Sequence, residues 1–161
     1  MSLDNHVKVI FPLERDEDDW PPAGEESIWA EVTDEPEVVR LANTPFFVRG
    51  VAWGDRVHVR RDANDGSWQY EALVQESGHS TVRIVLSDEG YVSKIHAKLA
   101  ELGCEWTGIR AFPNLIAVDV PPGLPYGPLR AWLDEGEKAD RLGFEEGCIS
   151  AHHRAGWDQT R

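Results

Sequence analysis

Alternation of apolar and polar positions dominates the first part of the chain. "HVKVIFPL" (His6–Leu13) is rich in β-branched residues and reads as a strand. "SIWAEV" (Ser27–Val32) alternates strictly, so Ile28, Ala30 and Val32 are predicted to share one face and Trp29 the other. The "ERDEDDWPPAGEE" between them is a charged, proline-bearing loop. "EVVRLAN" predicts a short third strand. In "DRVHVRR" (Asp55–Arg61), Val57 and Val59 face in while Arg56, His58 and Arg60 face out. "DANDGS" brings Asp65-Gly66, a pair suited to a hairpin turn, and "WQYEALVQE" returns as the partner strand. Strand after strand with short turns predicts a small barrel or curled sheet over residues 1–79.

The period changes at Ser80. "STVRIVL" is one more strand, after which Ser87 or Asp88 offers an N-cap. "YVSKIHAKLAEL" then places Val92, Ile95, His96, Leu99 and Leu102 at helical spacing, with Gly103 as the expected C-terminal glycine. "CEWTGIRAF" and "LIAVDV" read as strands turning at Pro113-Asn114. "LRAWLDEGEKADRL" reads as a second helix with Leu129, Trp132, Leu133 and Gly136 on one face, and "GFEEGCI" as a last strand. The order β-α-β-β-α-β over residues 80–150 predicts a ferredoxin-like unit with both helices on one face of an antiparallel sheet. The expected class is therefore α+β: a small β-rich, barrel-like N-terminal half packed on a ferredoxin-like half, then a tail, residues 151–161, without periodicity. Two halves of this size are expected to share an apolar interface, with Phe46 or Phe47, Trp53 and Ile84 near it.

Charge and composition narrow the function classes. A formal net charge of −13 disfavours nucleic acid, which needs a basic face. It suits solubility or a basic protein partner. No apolar run reaches the roughly 18 residues of a membrane span, and the start carries no basic-then-apolar signal, so a cytoplasmic protein is expected. Seven tryptophans point to large side chains in the core or in a cleft. The two cysteines, Cys104 and Cys148, read as small, buried, free thiols. They are placed on opposite edges of the predicted sheet, beyond the roughly 7 Å that a disulfide spans. His152-His153 lacks HxxxH or CxxC company, so neither a metal nor another cofactor is expected.

Three stretches, "EESIWAEV", "NTPFFVRGVAWGDRVHV" and "ESGHSTVRIVL", resemble the bacterial family known as domain of unknown function 4265. The likeness runs from His6 to about Ile149 and is densest from Glu26 to Leu86. It implies a cytosolic bacterial protein with a family pattern at Glu26, Trp29, Asn43, Pro45, Phe46, Phe47, Gly54, Asp55, Gly78, His79, Thr81 and Arg83, and it implies no particular reaction.

The segment "SGHST" (Ser77–Thr81) joins the two predicted halves, and three readings of it compete. It is a structural hinge, with Gly78 turning the chain and His79, Ser80 and Thr81 satisfying backbone groups. Alternatively, His79, Thr81 and Arg83 share one strand face and form a ligand site at the junction, with Glu26, Asn43 or Asp55 as partners. A buried Arg83 would want an anion, so that site suits a small anionic ligand or a peptide. In the third reading Ser77 or Ser80, His79 and Asp55 supply the residue types of a hydrolytic triad, although a serine next to its histidine in a strand points away from it, and no GxSxG elbow is present. The residues alone favour a non-catalytic binding or accessory protein, in one version an immunity-type protein docking a basic toxin. The alternative is a small enzyme or small-ligand binder using His79 and Arg83. An enzyme would show His79 in a concavity with a carboxylate in reach. The oligomeric state stays open.

Overall fold

The structure, a computed structural model, describes residues 5–160, with side chains as far as Gly156. Strands β1 (His6–Pro12), β2 (Glu25–Val32), β3 (Val38–Leu41), β4 (Arg56–Arg61) and β5 (Trp68–Gln75) form a closed barrel. Neighbours pair antiparallel, and a parallel contact of β1 with β5 shuts the ring. The interior follows from the alternation: Val9, Phe11, Ile28, Ala30, Val57 and Val59 are all buried. Val32 leaves this pattern. It ends β2 opposite Val39 and is 54% exposed, because the apolar stripe there runs past the end of the barrel core. The β4–β5 turn places Gly66 at φ +74°, which an L side chain adopts only at a cost.

The remaining strands, β6 (Ser80–Leu86), β7 (Glu105–Ile109), β8 (Phe112–Val120) and β9 (Leu142–Cys148), make a second sheet in the order β7-β8-β6-β9, antiparallel throughout. Helix α1 (Val92–Leu102) follows a short 3-10 turn that Asp88 caps, and it ends at Gly103 with φ +89°. Helix α2 (Tyr126–Lys138) contributes to the same core. Val82, Ile84 and Leu86 of β6 meet Ile95 and Leu99 of α1 and Leu129 and Leu133 of α2. The other face of β6 looks toward the barrel. Buried on both sides, this central strand hides even Thr81 and Arg83.

A third cluster joins barrel and sheet: Phe46 against Leu115 and Ala117, with Trp20, Phe47 and Phe112 around them. Phe46 and Phe47 thus both lie at the junction, whereas Ile84 belongs to the helix-side core. The loop after β3 also reaches the β9 edge, where the Gly50 N–H donates to the Gly147 carbonyl at 3.0 Å.

Several expectations change. The β7–β8 turn falls at Arg110-Ala111, because a bulge beside Gly108 absorbs Pro113, which has no N–H for the ladder. The tail is a helix, α3 (Ala151–Thr160). Its start is set by Ser150, whose hydroxyl accepts the N–H of His153 at 3.1 Å as an N-cap does. Cys104 is buried but Cys148 only half-buried; both are free. No described tryptophan is fully buried. Among the described residues no helix is long and apolar enough to cross a membrane.

Candidate functional site

The segment Phe46–Val48 is held from two directions. The Glu26 carboxylate accepts the backbone N–H groups of Phe46, Phe47 and Val48 at 2.6, 2.8 and 2.9 Å. Arg83, on the facing strand, donates to the carbonyls of Phe46 and Val48 and to Glu145 Oε1 at 3.0 Å. Burial lowers the proton affinity of this guanidinium, while Glu145 and Glu26 counter it. The anion expected beside Arg83 is therefore Glu145, a residue of the chain itself. Asp55 is similarly committed. It is buried and accepts the N–H of Ala52 at 2.9 Å, the N–H of Ser77 at 2.9 Å and the Ser77 hydroxyl at 3.0 Å. Burial raises its pKa, and those donors only partly offset the rise. Thr81 is buried, and its hydroxyl has no partner among the described residues.

His79 differs. Its Nδ1 lies 3.0 and 3.1 Å from the two carboxylate oxygens of Asp119 on β8. Burial raises the Asp119 pKa, and the imidazole opposes that rise. Where the carboxylate is ionised it only accepts, so Nδ1 carries a proton, and in the neutral ring Nε2 then keeps a lone pair. Nε2 has no hydrogen-bond partner among the described residues. The ring lines a hollow of about 300 Å³ with Glu31, Arg40, Leu41, Trp53, Gly54 and Ser77. Asp119 lines a second hollow of about 390 Å³ between barrel and β7, with Glu26, Asn43, Thr44, Trp53, Glu105 and Thr107. Trp53 lines both hollows, which together are called the cleft around this indole. That indole stands at 84° to the imidazole, with ring centres 5.0 Å apart. Gly54, at φ +85°, lets the chain pass Ser77 and His79: a Cβ there would come within 3.0 Å of Ser77 Cβ and 3.8 Å of His79 Cδ2. A third hollow of about 480 Å³, walled by Phe11, Trp20, Phe47 and Tyr70, contains no histidine.

Of the six residues singled out from sequence, His79, Glu26 and Asn43 line the cleft, while Asp55, Thr81 and Arg83 are buried in the frame around it. The triad geometry is not assembled. Asp55 holds Ser77, and it is Asp119 that orients His79. Ser80 points to the opposite face, where its hydroxyl lies 2.5 Å from His153 Nδ1. His153 Nε2 lies 3.0 Å from the Pro121 carbonyl, so Nε2 donates and Nδ1 accepts from Ser80. This serine–histidine pair is fully buried and closed to substrate. Burial pushes both cysteine thiols up to about 11, which removes thiolate chemistry near neutral pH. Among the described residues no three His, Cys, Asp or Glu side chains converge to hold a metal. The sequence does not single out Asp119, and it places Trp53 near the interface of the halves but not in a site. The signal for Asp119 was a lone acid inside the apolar run "LIAVDV"; Trp53 sits in an irregular loop where periodicity gives no signal.

The family model for "Domain of unknown function (DUF4265)" matches residues 26–144. The chain belongs to the DUF4265 family. Trp53, His79, Glu105 and Asp119 all lie inside the matched DUF4265 region, so both walls of the cleft fall within it. No curated protein matches the chain. Among solved structures the chain is similar to one described as "Novel crystal structure of a hypothetical protein from Neisseria gonorrhoeae", at 20% identity and a TM-score of 0.71, covering 93% of this chain and 98% of that one. At that identity the likeness shows a shared fold for this DUF4265 chain.

Proposed function

We propose that the protein is a non-catalytic binding protein of the bacterial cytoplasm, whose recognition site is the cleft around Trp53. The observation that carries this is the Asp119–His79 bond, which fixes the imidazole and leaves Nε2 as a prepared acceptor in a concavity. Glu26, Asn43, Thr44 and Glu105 surround the same cleft with further polar groups. Arg83 serves the frame, so the small anionic ligand first suggested by its charge has lost its anchor. We also read the four-stranded half as ferredoxin-like, on the support of its strand order and antiparallel pairing, and residues 1–79 as its barrel-like partner unit.

A second reading keeps the site and adds chemistry. His79 in a concavity with the Asp119 carboxylate in reach is the arrangement expected of an enzyme, and an imidazole so held is also a general base, which would make the protein a small enzyme. No hydroxyl or thiol within hydrogen-bond reach of Nε2 supplies a nucleophile among the described residues, and binding is therefore the preferred reading. The immunity-type version, in which the acidic surface docks a basic protein, rests on the net charge of −13.

The test is retention from a bacterial metabolite extract. Wild-type protein should hold one or more small molecules that His79→Ala and Trp53→Ala release, with both variants folded by circular dichroism. Equal retention by all three proteins would overturn the cleft as the site.

A further inference from the structure

We infer that the larger hollow of the cleft takes an extended segment of a basic partner protein, which adds as a strand to the open edge of β2 at Ser27; this rests on the cleft being the recognition site. The edge is open because of how the chain runs. Trp29 turns its backbone toward β3: its carbonyl accepts the N–H of Ala42 at 2.8 Å, and its N–H donates to Asn43 Oδ1 at 3.2 Å. Backbone groups alternate sides along a strand, so Ser27, two places earlier, directs its N–H and carbonyl to that same side, away from β1. Strand β3 does not reach that far. Its ladder with β2 covers Ala30–Val32. Beyond Asn43 the chain turns away: Pro45 has no N–H, and the N–H groups of Phe46–Val48 go to Glu26. Among the described residues no strand pairs with β2 beside Ser27 on that side. Ser27 is exposed and lines the hollow of about 390 Å³, beside Ile28, Ala42, Asn43 and Thr44. A donor and an acceptor from one strand residue are matched by another peptide backbone. At Trp29 the Asn43 side-chain amide already stands in for a strand carbonyl.

Charge selects the segment. The carboxylates of Glu26, Glu105 and Asp119 line this hollow, and no lysine or arginine does. Glu26 is taken by three backbone N–H groups and Asp119 by His79. Glu105, the cross-strand neighbour of Asp119, is exposed and lies in no salt bridge among the described residues. A cationic side chain therefore finds one uncommitted carboxylate there, and the net charge of −13 draws basic proteins toward the chain. The two requirements fall on different parts of the segment, its backbone at Ser27 and one side chain at Glu105, and both residues line the same hollow. Phe46 and Ile109 offer apolar contact between them for the neighbouring side chains.

The experiment uses the full chain and follows the Ser27 amide by NMR. Three heptapeptides are titrated: acetyl-Ser-Thr-Val-Lys-Val-Thr-Ser-amide, the same peptide with glutamate in place of lysine, and the lysine peptide with its Val-Lys-Val amides N-methylated. The lysine peptide should shift the Ser27 amide saturably and slow its hydrogen exchange. The methylated peptide should do neither, and the glutamate peptide should bind roughly tenfold more weakly. Ser27→Pro removes a donor that no ladder uses, so it should keep the wild-type melting temperature and lose the peptide. Glu105→Gln, at an exposed site, should weaken the lysine peptide by roughly threefold, the scale of one exposed ion pair. Equal binding of the methylated or the glutamate peptide, or no response of Ser27 to the lysine peptide, overturns the inference. So does a dimer of the chain alone that Ser27→Pro dissociates, which would give the edge to a second copy. Where the lysine peptide fails but His79→Ala and Trp53→Ala still release metabolites, the cleft stands and only its occupant is misassigned. Equal retention of metabolites by all three proteins removes the site itself.

Discussion

Glu26 and Arg83 grip the same three-residue segment from opposite chemical sides. The carboxylate takes its N–H groups and the guanidinium gives to its carbonyls. Glu26 stands on the barrel and Arg83 on the central strand of the sheet, so the clamp binds the junction through the backbone of Phe46–Val48. Removing either partner strands buried polar groups. Arg83→Met should destabilise by about 3–5 kcal/mol, as when one member of a buried ion pair is lost, and Glu26→Ala, which leaves three backbone N–H groups without their acceptor, by about 1–3 kcal/mol. Urea unfolding checks this. A loss within about 0.5 kcal/mol, the scale of an ordinary surface change, would show that the clamp contributes nothing.

Gly147 leaves room for that guanidinium. A Cβ at residue 147 would collide with Arg83 Nη1 and Cζ. Gly147→Ala should therefore destabilise the wild type, and should cost much less once Arg83 is Met. A double-mutant cycle should return a coupling of about 1–3 kcal/mol, as for directly contacting residues. Additive effects would place the cost of Gly147→Ala somewhere other than the guanidinium.

Helix α3 should loosen in mild acid. His153 is buried, and burial lowers its pKa, against the Pro121 carbonyl that favours the proton. The titratable groups that act on it are His152 and His79; Glu76 accepts the N–H of Ala151 at the start of the helix, and Tyr126 packs at 6.3 Å. A histidine with a depressed folded pKa is fully compatible with docking above its unfolded value, about 6.5. Below that pH the released state takes the proton first, so docking weakens by up to about 1.4 kcal/mol per pH unit until the folded form also titrates. Amide exchange in α3 should accelerate as pH falls below about 6.5, beyond the intrinsic trend, while α1 stays protected. In His153→Gln that excess pH dependence should vanish. Unchanged α3 protection across this range would contradict the buried Ser80–His153 contact.

Alternation and helical spacing carried most of the architecture. The barrel valines, the helix faces over Ile95 and Leu129 and the glycine at 103 all follow local rules that act within a few residues. What the pattern missed depended on distant partners or on one capping atom. Helix α3 has no apolar stripe; it forms because the Ser150 hydroxyl caps it and His153 docks on Ser80. For the candidate site, sequence alternation placed His79, Thr81 and Arg83 toward the junction. It gave no means of knowing that Arg83 would meet Glu145, 62 residues away, or that Asp119, 40 residues from His79, would orient it. Pairing across sheets decides which polar side chains remain uncommitted, and spacing along the chain does not encode that.

Recognition in the cleft depends on one proton. If Asp119 holds it on His79 Nδ1, the neutral ring presents a fixed acceptor at Nε2; if not, the cleft has no such anchor. The direct measurement is the nitrogen-15 NMR pattern of the His79 ring at neutral pH, in wild type and in Asp119→Ala. The predicted result is a predominant Nδ1–H tautomer in the wild type, with an unprotonated Nε2, that reverts toward the mixture of a free imidazole in the variant. A wild-type ring predominantly protonated at Nε2, or unchanged by loss of Asp119, would contradict it.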